Sequence, residues 1–337
     1  MNSRLERFRK PIAASLAAIA FTAGAAAADL YKVTSTAPGM APFVVNTAIS
    51  KVVNKHVDGV DFQVRATGAA TKHLVDAAQG KVDFFFGSPT INWLMVNRIG
   101  PFKTFEAAPE LEKELGMIFS YQIGPYHYVT DAGSDIKTLE DLEGKKVFVG
   151  PPGGAARTVV LGNIETITGL TEADMDVQTY GFDAAIQAFQ DDKIDVIVLP
   201  TNIPSPAIQQ FALTKEIRIL DVDVDKLNIR RFTGGTINTI PAGAYGDNHH
   251  GGDVRTHGAI VNFSAGMHVP EEVVYQVTKA IWENIDEIHE TAQWMPSTIK
   301  RETALELIAS RLHPGAERYY REAGWEIPEP MTFLPDN

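Results

Sequence analysis

Residues 150–157 carry groups suited to holding an anion, because a Gly-Gly turn here joins an apolar run to a helical pattern. The stretch does not match the phosphate-loop pattern G-x-x-x-x-G-K-[ST], since Ala155 and Ala156 stand where that pattern needs a Lys and a hydroxyl. Backbone N–H groups and the positive end of a helix dipole would instead face a carboxylate. We therefore predict that Gly153, Gly154 and Arg157 bind a ligand without transforming it.

Arg157 is the predicted cation of this loop. Its guanidinium fork could grip a carboxylate in bidentate fashion. On this interpretation, replacing Arg157 by Ala weakens ligand binding by about 1.5–3 kcal/mol, the range for a charged hydrogen bond. The alternative is an ordinary strand-to-helix loop with an arginine at the surface.

Four more loops of small and polar residues follow predicted strands, at 35–43, 65–72, 86–90 and 200–206. All five loops lie at the carboxyl ends of presumed parallel strands, which is the edge where open α/β sheets bind ligands. Helix capping is the alternative role for the threonines at 67 and 71. From these four loops we predict ligand contacts by Thr36, Gly39, Phe43, Thr67, Gly68, Ala69, Ser88, Pro89, Asn202 and Pro204.

Alternating strand and helix patterns must position these loops. Short apolar runs predict strands at 31–34, 62–66, 82–86, 147–150, 195–199 and 218–220, and amphipathic segments lie between them. One predicted helix spans 156–167 and ends at Gly169, and a longer one spans 271–290. The sequence therefore predicts an α/β fold with mainly parallel sheets flanked by helices.

The first 28 residues predict a secretory signal peptide. Arg4, Arg7, Arg9 and Lys10 precede an apolar run at 12–21, and small residues follow up to Ala28. This order is typical of a signal peptide cleaved near Ala28, with an uncleaved anchor as the alternative. No later run approaches the roughly 18 apolar residues of a membrane span. We expect the mature chain in the periplasm.

Composition narrows the possible partners. The chain has no Cys, which excludes disulfides, thiolate metal sites and cysteine nucleophiles. Loss of the signal peptide would take the formal net charge from −12 to −15, because residues 1–28 hold four basic groups and one acid. An acidic chain repels phosphate backbones, so we expect no nucleic-acid partner. The length is enough for two core-bearing domains.

Two segments, at 121–128 and 234–239, are predicted to cross between these domains. The predicted organisation is a signal peptide at 1–28, a discontinuous lobe I at 29–126 plus 235–337, and a continuous lobe II at 127–234. Two crossings form a hinge that allows the lobes to close around a ligand.

The ordered loops resemble those of the TAXI family, the solute-binding proteins of tripartite ATP-independent periplasmic (TRAP) transporters. The resemblance covers nearly all of the mature chain. It implies a two-lobed, type II-like periplasmic-binding-protein fold with a hinge, a buried organic acid between the lobes, and delivery to membrane permease subunits. The matching segments are 66–69, 79–83, 138–147, 150–154, 240–245 and 312–320, of which the last two are the most specific.

The chain departs from the TAXI pattern in two loops. The first loop of the family is usually glycine-rich with a tyrosine pair after it, whereas this chain has Phe43 and Val44 there. The fourth usually carries a polar residue, often Asp, where this chain reads Gly87-Ser88-Pro89-Thr90. Both changes make the expected pocket less polar, which favours a carboxylate without an amine over an amino acid.

The leading hypothesis is a non-catalytic binding protein that captures a small organic anion and needs no cofactor. A periplasmic dehydratase on the same scaffold would need an acid or base in the cleft, and the five loops supply none unless His127 swings in. A binding protein for an ATP-driven importer or a membrane sensor shares the fold and is the other alternative.

A metal site is a further alternative for residues 249–257. His249, His250, Asp253 and His257 could supply three nitrogens and an oxygen to zinc. The surrounding sequence is typical of a polar surface loop, so we expect no metal.

Overall fold

The computed structural model describes residues 28–229, 234–309 and 311–330. The predicted signal peptide, apart from Ala28, lies outside the described residues. The elements in chain order are β1 (Asp29–Ser35), α1 (Ala41–His56), β2 (Val60–Ala66), α2 (Ala70–Ala78), β3 (Phe84–Gly87), α3 (Pro89–Asn97), α4 (Ala108–Glu112), β4 (Leu115–Asp131), β5 (Lys146–Phe148), α5 (Ala155–Thr168), β6 (Asp176–Val177), α6 (Phe182–Gln190), β7 (Val196–Pro200), α7 (Pro206–Thr214), β8 (Ile217–Ile219), β9 (Gly235–Ile240), β10 (His249–His250), β11 (Val254–Gly266), α8 (Glu271–Glu283), α9 (Ile285–His289), α10 (Met295–Thr298) and α11 (Pro314–Glu322).

The described strands form one curled sheet in the order β2-β1-β3-β11-β4-β7-β5-β6, with β8, β9 and β10 attached at its sides. Strands β1, β2 and β3 are parallel to one another, as are β5, β6 and β7. Helices cover both groups, so the predicted α/β class is confirmed. The sheet is mixed, however, because β4 and β11 run antiparallel to each other and to their neighbours β3 and β7.

The strands β4 and β11 join the two parallel groups. Strand β4 pairs with β11 from Leu115 to Pro125 and then with β7 from Tyr126 onward. The predicted crossing at 121–128 therefore lies inside a single 17-residue strand. Strand β11 begins at Val254, which packs in one cluster with Ile197 of β7, and later pairs with β3, so it passes between the same two groups.

Apolar side chains are buried on either side of these crossing strands. We call the part built on β1, β2 and β3 the first lobe; its main core combines Val33, Ile49 and Phe84 with Ile281 of α8. The part built on β5, β6 and β7 is the second lobe, with two core clusters, one around Ile197, Phe211 and Ile217 and one around Val147, Val160 and Ile164. The chain thus has two separately buried α/β lobes.

The two predicted helices are confirmed, with one difference. Helix α5 spans Ala155–Thr168 and ends at Gly169, whose positive φ of 81° suits a residue without a Cβ. The predicted helix 271–290 is interrupted at Asn284, where α8 ends and α9 begins. The periodic pattern continued across the break because Ile281, Ile285 and Ile288 still face the core.

The segment after the second predicted crossing packs with the second lobe. Ile240, Tyr245 and Val254 belong to the cluster around Phe211, and β10 pairs with β8. The sequence prediction assigned this segment to lobe I. Its short strands and turns carry too few apolar residues for a periodicity that would have shown its partner.

Candidate functional site

A cavity lies between the two lobes where the loops of both meet the crossing strands. Its volume is about 70 Å³. Its walls come from both lobes and from β4 and β11. The lining residues are Thr36, Met40, Pro42, Ala69, Ala70, Phe86, Ser88, Thr90, Ile91, Ile123, Tyr126, Pro151, Gly154, Ala155, Ala156, Val159, Phe182, Pro200, Ala259 and Val261.

The beginnings of α2 and α5 lie next to each other on the lining of this cavity. A Cβ added to Gly154 would lie 3.6 Å from the Cβ of Ala69. Ala69 and Gly154 are the N-cap residues of the two helices, and neither cap provides a side-chain hydrogen bond to the first turn. Backbone N–H groups of both first turns are therefore available to an anion, with the positive ends of the two dipoles behind them.

The hydroxyl groups of Thr36 and Ser88 add polar groups to the cavity lining. Thr36 is only 6% exposed and its Oγ1 has no hydrogen-bond partner within the described structure. Ser88 caps α3 by accepting a hydrogen bond from the Ile91 N–H at 3.2 Å, and its own proton remains available to a ligand. A buried hydroxyl without a partner costs free energy, and a polar ligand atom that reached the Thr36 hydroxyl would recover part of it.

The cavity is otherwise neutral and largely apolar. None of the described residues that line it is Asp, Glu, Lys, Arg or His. Burial raises the pKa of the Tyr126 phenol, so this side chain is neutral as well. No group on this lining is suited to act as a general acid or base near neutral pH.

Arg157 does not line the cavity. Its guanidinium forms an ion pair with Glu172, and its side chain is largely buried against that neighbour. Helix phase explains the direction: at about 100° per residue, position 157 lies about 150° from the mean direction of the cavity-lining positions 155, 156 and 159. The sequence identified the helix start but not the face on which Arg157 lies.

Among the other predicted site residues, Thr36, Ala69, Ser88 and Gly154 line the cavity. The carbonyl of Gly153 accepts a hydrogen bond from Thr71 Oγ1 at 2.7 Å, which links the lobes at the edge of the cleft. Asn202 donates to Thr298 Oγ1 at 3.0 Å, a second link between the lobes, away from the cavity. The residues outside the cavity lining are Gly39, Phe43, Thr67, Gly68, Pro89, Gly153, Arg157, Asn202 and Pro204.

Sequence reasoning missed most of the apolar lining. Ile123 and Tyr126 lie in β4, and Ala259 and Val261 lie in β11. The segment 121–128 was identified as a crossing, which was the available signal for two of them. Strand β11 gave no such signal, because its sequence contains few turn residues and resembles an ordinary buried strand.

A histidine and a tyrosine connect the crossing strand β4 to the segment before β11. His127 is fully buried; its Nδ1 donates to the Pro125 carbonyl at 3.0 Å, so its Nε2 accepts from the Tyr245 hydroxyl at 2.7 Å. Burial lowers the pKa of His127 to about 3, which keeps the ring neutral. The ring is directed away from the cavity into this network, which is structural.

The histidines considered as zinc ligands are separated in the structure. His249 lies in β10 beside Tyr245, whereas His257 lies in β11 with its Nε2 2.9 Å from the Tyr128 hydroxyl. Within the described ranges, no group of three or more His, Cys, Asp or Glu could hold a metal ion. In the same ranges, no helix is long and apolar enough to cross a bilayer.

A second cavity adjoins the first. It holds about 440 Å³ and shares Thr90, Tyr126, Val159 and Ala259 with the first. Lys226 reaches this second space, but its Nζ lies 3.3 Å from Asp223 Oδ2, so its charge is already paired.

Comparison with known proteins gives a family and several similar folds. The model of the NMT1-like family matches residues 33–324. An alkanesulfonate-binding protein SsuA from Xanthomonas axonopodis pv. citri, bound to MOPS, has 13% identity and a TM-score of 0.48, covering 88% of this chain and 85% of its own. A TRAP solute-binding protein from Ralstonia eutropha H16, with bound (S)-2-acetolactate, has 12% identity and a TM-score of 0.48. The match covers 89% of this chain and 86% of that protein. Another TRAP solute-binding protein, from Shewanella oneidensis with bound succinate, has 13% identity and a TM-score of 0.47. The match covers 80% of this chain and 83% of that protein.

Proposed function

We propose that this chain, which belongs to the NMT1-like family, is the periplasmic solute-binding subunit of a TRAP-type transporter, similar to the TAXI proteins. It captures a small organic anion between its lobes and delivers it to membrane permease subunits. The observation that carries the proposal is the cavity between the lobes, which residues of both lobes line.

The wall of this cavity supports binding in preference to catalysis. The beginnings of α2 and α5, with the hydroxyls of Thr36 and Ser88, supply donors suited to a carboxylate. A dehydratase would need a positioned acid or base, and the described lining has no ionisable group with a suitable pKa.

Closure of the lobes accounts for capture. We propose that the hinge lies where β4 and β11 pass between the lobes, so that rotation about these strands opens the cavity. The hydrogen bonds from Thr71 to Gly153 and from Asn202 to Thr298 link lobe to lobe and favour the closed form.

The first test is native mass spectrometry on protein purified from the periplasm, followed by a thermal-shift screen of organic acids on protein stripped of ligand. Binding to the folded state alone raises the melting temperature by mass action. A solute released unchanged supports the proposal, whereas conversion of the solute to a new mass contradicts it.

The transporter type needs a separate assay. Membrane vesicles that contain the permease subunits should take up the solute only when this protein is added, and without ATP. Uptake that depends on ATP hydrolysis would assign the protein to an ATP-driven importer, and binding without uptake would favour a sensor.

A further inference from the structure

The cavity has polar groups at one wall and apolar side chains elsewhere, and this asymmetry restricts the solute. The beginnings of α2 and α5 lie next to each other, and Thr36, whose Oγ1 has no partner within the described residues, is on the same lining. Thr36 is more than nine-tenths buried, so water does not readily satisfy its hydroxyl. These groups define one polar subsite.

The partial positive charges at this subsite are together enough to balance one carboxylate. A helix N-terminus acts as roughly half a positive charge, so α2 and α5 together balance about one negative charge. Arg157 does not add to it, because Arg157 is not on the cavity lining and its charge is paired with Glu172 through Nη2. Lys226 in the adjoining cavity is paired with Asp223.

The remaining surface disfavours a second charge. Met40, Phe86, Ile123, Val159 and Phe182 supply apolar side chains around the rest of the cavity. A carboxylate buried against such side chains without a partner is unfavourable, or else must take up a proton. An apolar body of the same size gains from burial there.

From these contacts we infer that the solute is a singly charged monocarboxylate with an apolar body, and that the site rejects dicarboxylates. This inference rests on the proposed binding function and specifies its substrate class. The carboxylate is held by backbone N–H groups of α2 and α5 and by the Thr36 hydroxyl. The apolar body lies against β4 and β11.

Matched acids test the inference directly. Isothermal titration on protein stripped of ligand should compare butanoate, pentanoate and hexanoate with succinate, glutarate and adipate, which differ at each length by one terminal carboxylate. We expect the best monocarboxylate to bind at least 100-fold more tightly than its matched dicarboxylate. Equal or tighter dicarboxylate binding would overturn the inference but leave the proposed function intact. Failure of all six acids and of the wider screen to bind would overturn both.

Thr36→Val tests the polar subsite, because valine keeps the shape of the side chain and removes the hydroxyl. We expect monocarboxylate affinity to fall ten- to a hundredfold, as for loss of a hydrogen bond to a charged group. Thr34→Val is the matched control, since Thr34 Oγ1 is also buried and unpartnered but does not line the cavity. Equal affinity in both variants, with intact folding, would remove Thr36 from the site.

Discussion

Arg157 illustrates how the direction of one side chain decides its role. The residue is only three positions into α5, close to a helix start that lines the cavity, yet its guanidinium pairs with Glu172. Since the helix phase turns it away from the solute, we expect Arg157→Ala to change ligand affinity less than about threefold. Titration of the purified variant measures this.

The contrary result would also be informative. A loss of about 1.5–3 kcal/mol, as the sequence pattern alone predicts, would mean that the guanidinium contacts the solute, either through Nη1, which is buried without a partner within the described residues, or after leaving Glu172. Glu172→Gln provides the control, because it frees the arginine without removing it. Tighter binding in that variant would show that the ion pair competes with the solute.

Burial of His127 makes the free energy of unfolding depend on pH. Its pKa is lowered to about 3 in the folded state, whereas an unfolded histidine titrates near 6.5. Between these values the unfolded chain binds the extra proton, so this residue's contribution is present above pH 6.5 and is lost as pH falls towards 3. His127→Gln keeps a donor and an acceptor but cannot titrate.

We therefore expect the fall in unfolding free energy between pH 6 and pH 4 to be shallower in His127→Gln, by roughly 1 kcal/mol per pH unit. Urea titrations at several pH values give the slopes. Parallel slopes for the two proteins would mean that folding does not lower the pKa of His127.

At the scale of elements, β4 depends on a glycine at the point where it leaves the first lobe. Gly124 has a φ of 89°, and an added Cβ would lie 2.6 Å from the Thr201 carbonyl oxygen. The register against β11 also shifts here, between Ala259 and Ile260. Only glycine allows this conformation and this close approach together.

Gly124→Ala should therefore lower the free energy of unfolding by at least about 2 kcal/mol, because backbone atoms of the β7–α7 loop have to move. Gly144→Ala is the control: its φ is also positive, at 70°, but its Cβ would meet open space. Thermal and urea unfolding of both variants distinguish the cost of the positive φ, which both positions share, from the cost of the steric clash, which only Gly124→Ala introduces. Similar losses in both would assign the effect to strain alone.

Local patterns predicted the elements of this chain better than their long-range partners. Helix α5 and its end at Gly169 follow from periodicity and a capping residue, both of which are local. The pairing of β11 with β3, β4 and β9 joins residues far apart in sequence, and no local pattern encodes it. The apolar wall of the cavity comes partly from these strands. The sequence therefore predicted polar loop residues such as Thr36 and Ser88, but not Tyr126 or Ala259.

At the scale of the whole molecule, the Thr71–Gly153 hydrogen bond links the lobes beside the cavity at 2.7 Å. If the lobes close as proposed, the closed form contains this bond and separated lobes would lose it. Thr71→Val should shift the equilibrium towards open lobes and weaken solute binding about three- to tenfold, as expected for loss of one neutral hydrogen bond.

Small-angle scattering with and without solute should show a larger radius of gyration for ligand-free Thr71→Val than for the unaltered protein. Thr47→Val is the control, since its hydroxyl bonds only within α1, to the Phe43 carbonyl. Indistinguishable scattering and affinity for both variants would mean that the Thr71 bond does not contribute to closure.

Burial of Met40 predicts a heat-capacity change on lobe closure. It precedes α1 of the first lobe, yet it is 1% exposed and packs in the second lobe's cluster with Phe148, Phe182 and Leu199. Separating the lobes must draw this side chain out of an apolar core into water, and exposed apolar surface raises heat capacity. The enthalpy of solute binding should therefore fall more steeply with temperature than burial of the solute alone requires. On the proposed function, the Met40 side chain would be buried in the second lobe each time a solute is bound. Its burial would add to the heat-capacity change that burial of the solute causes.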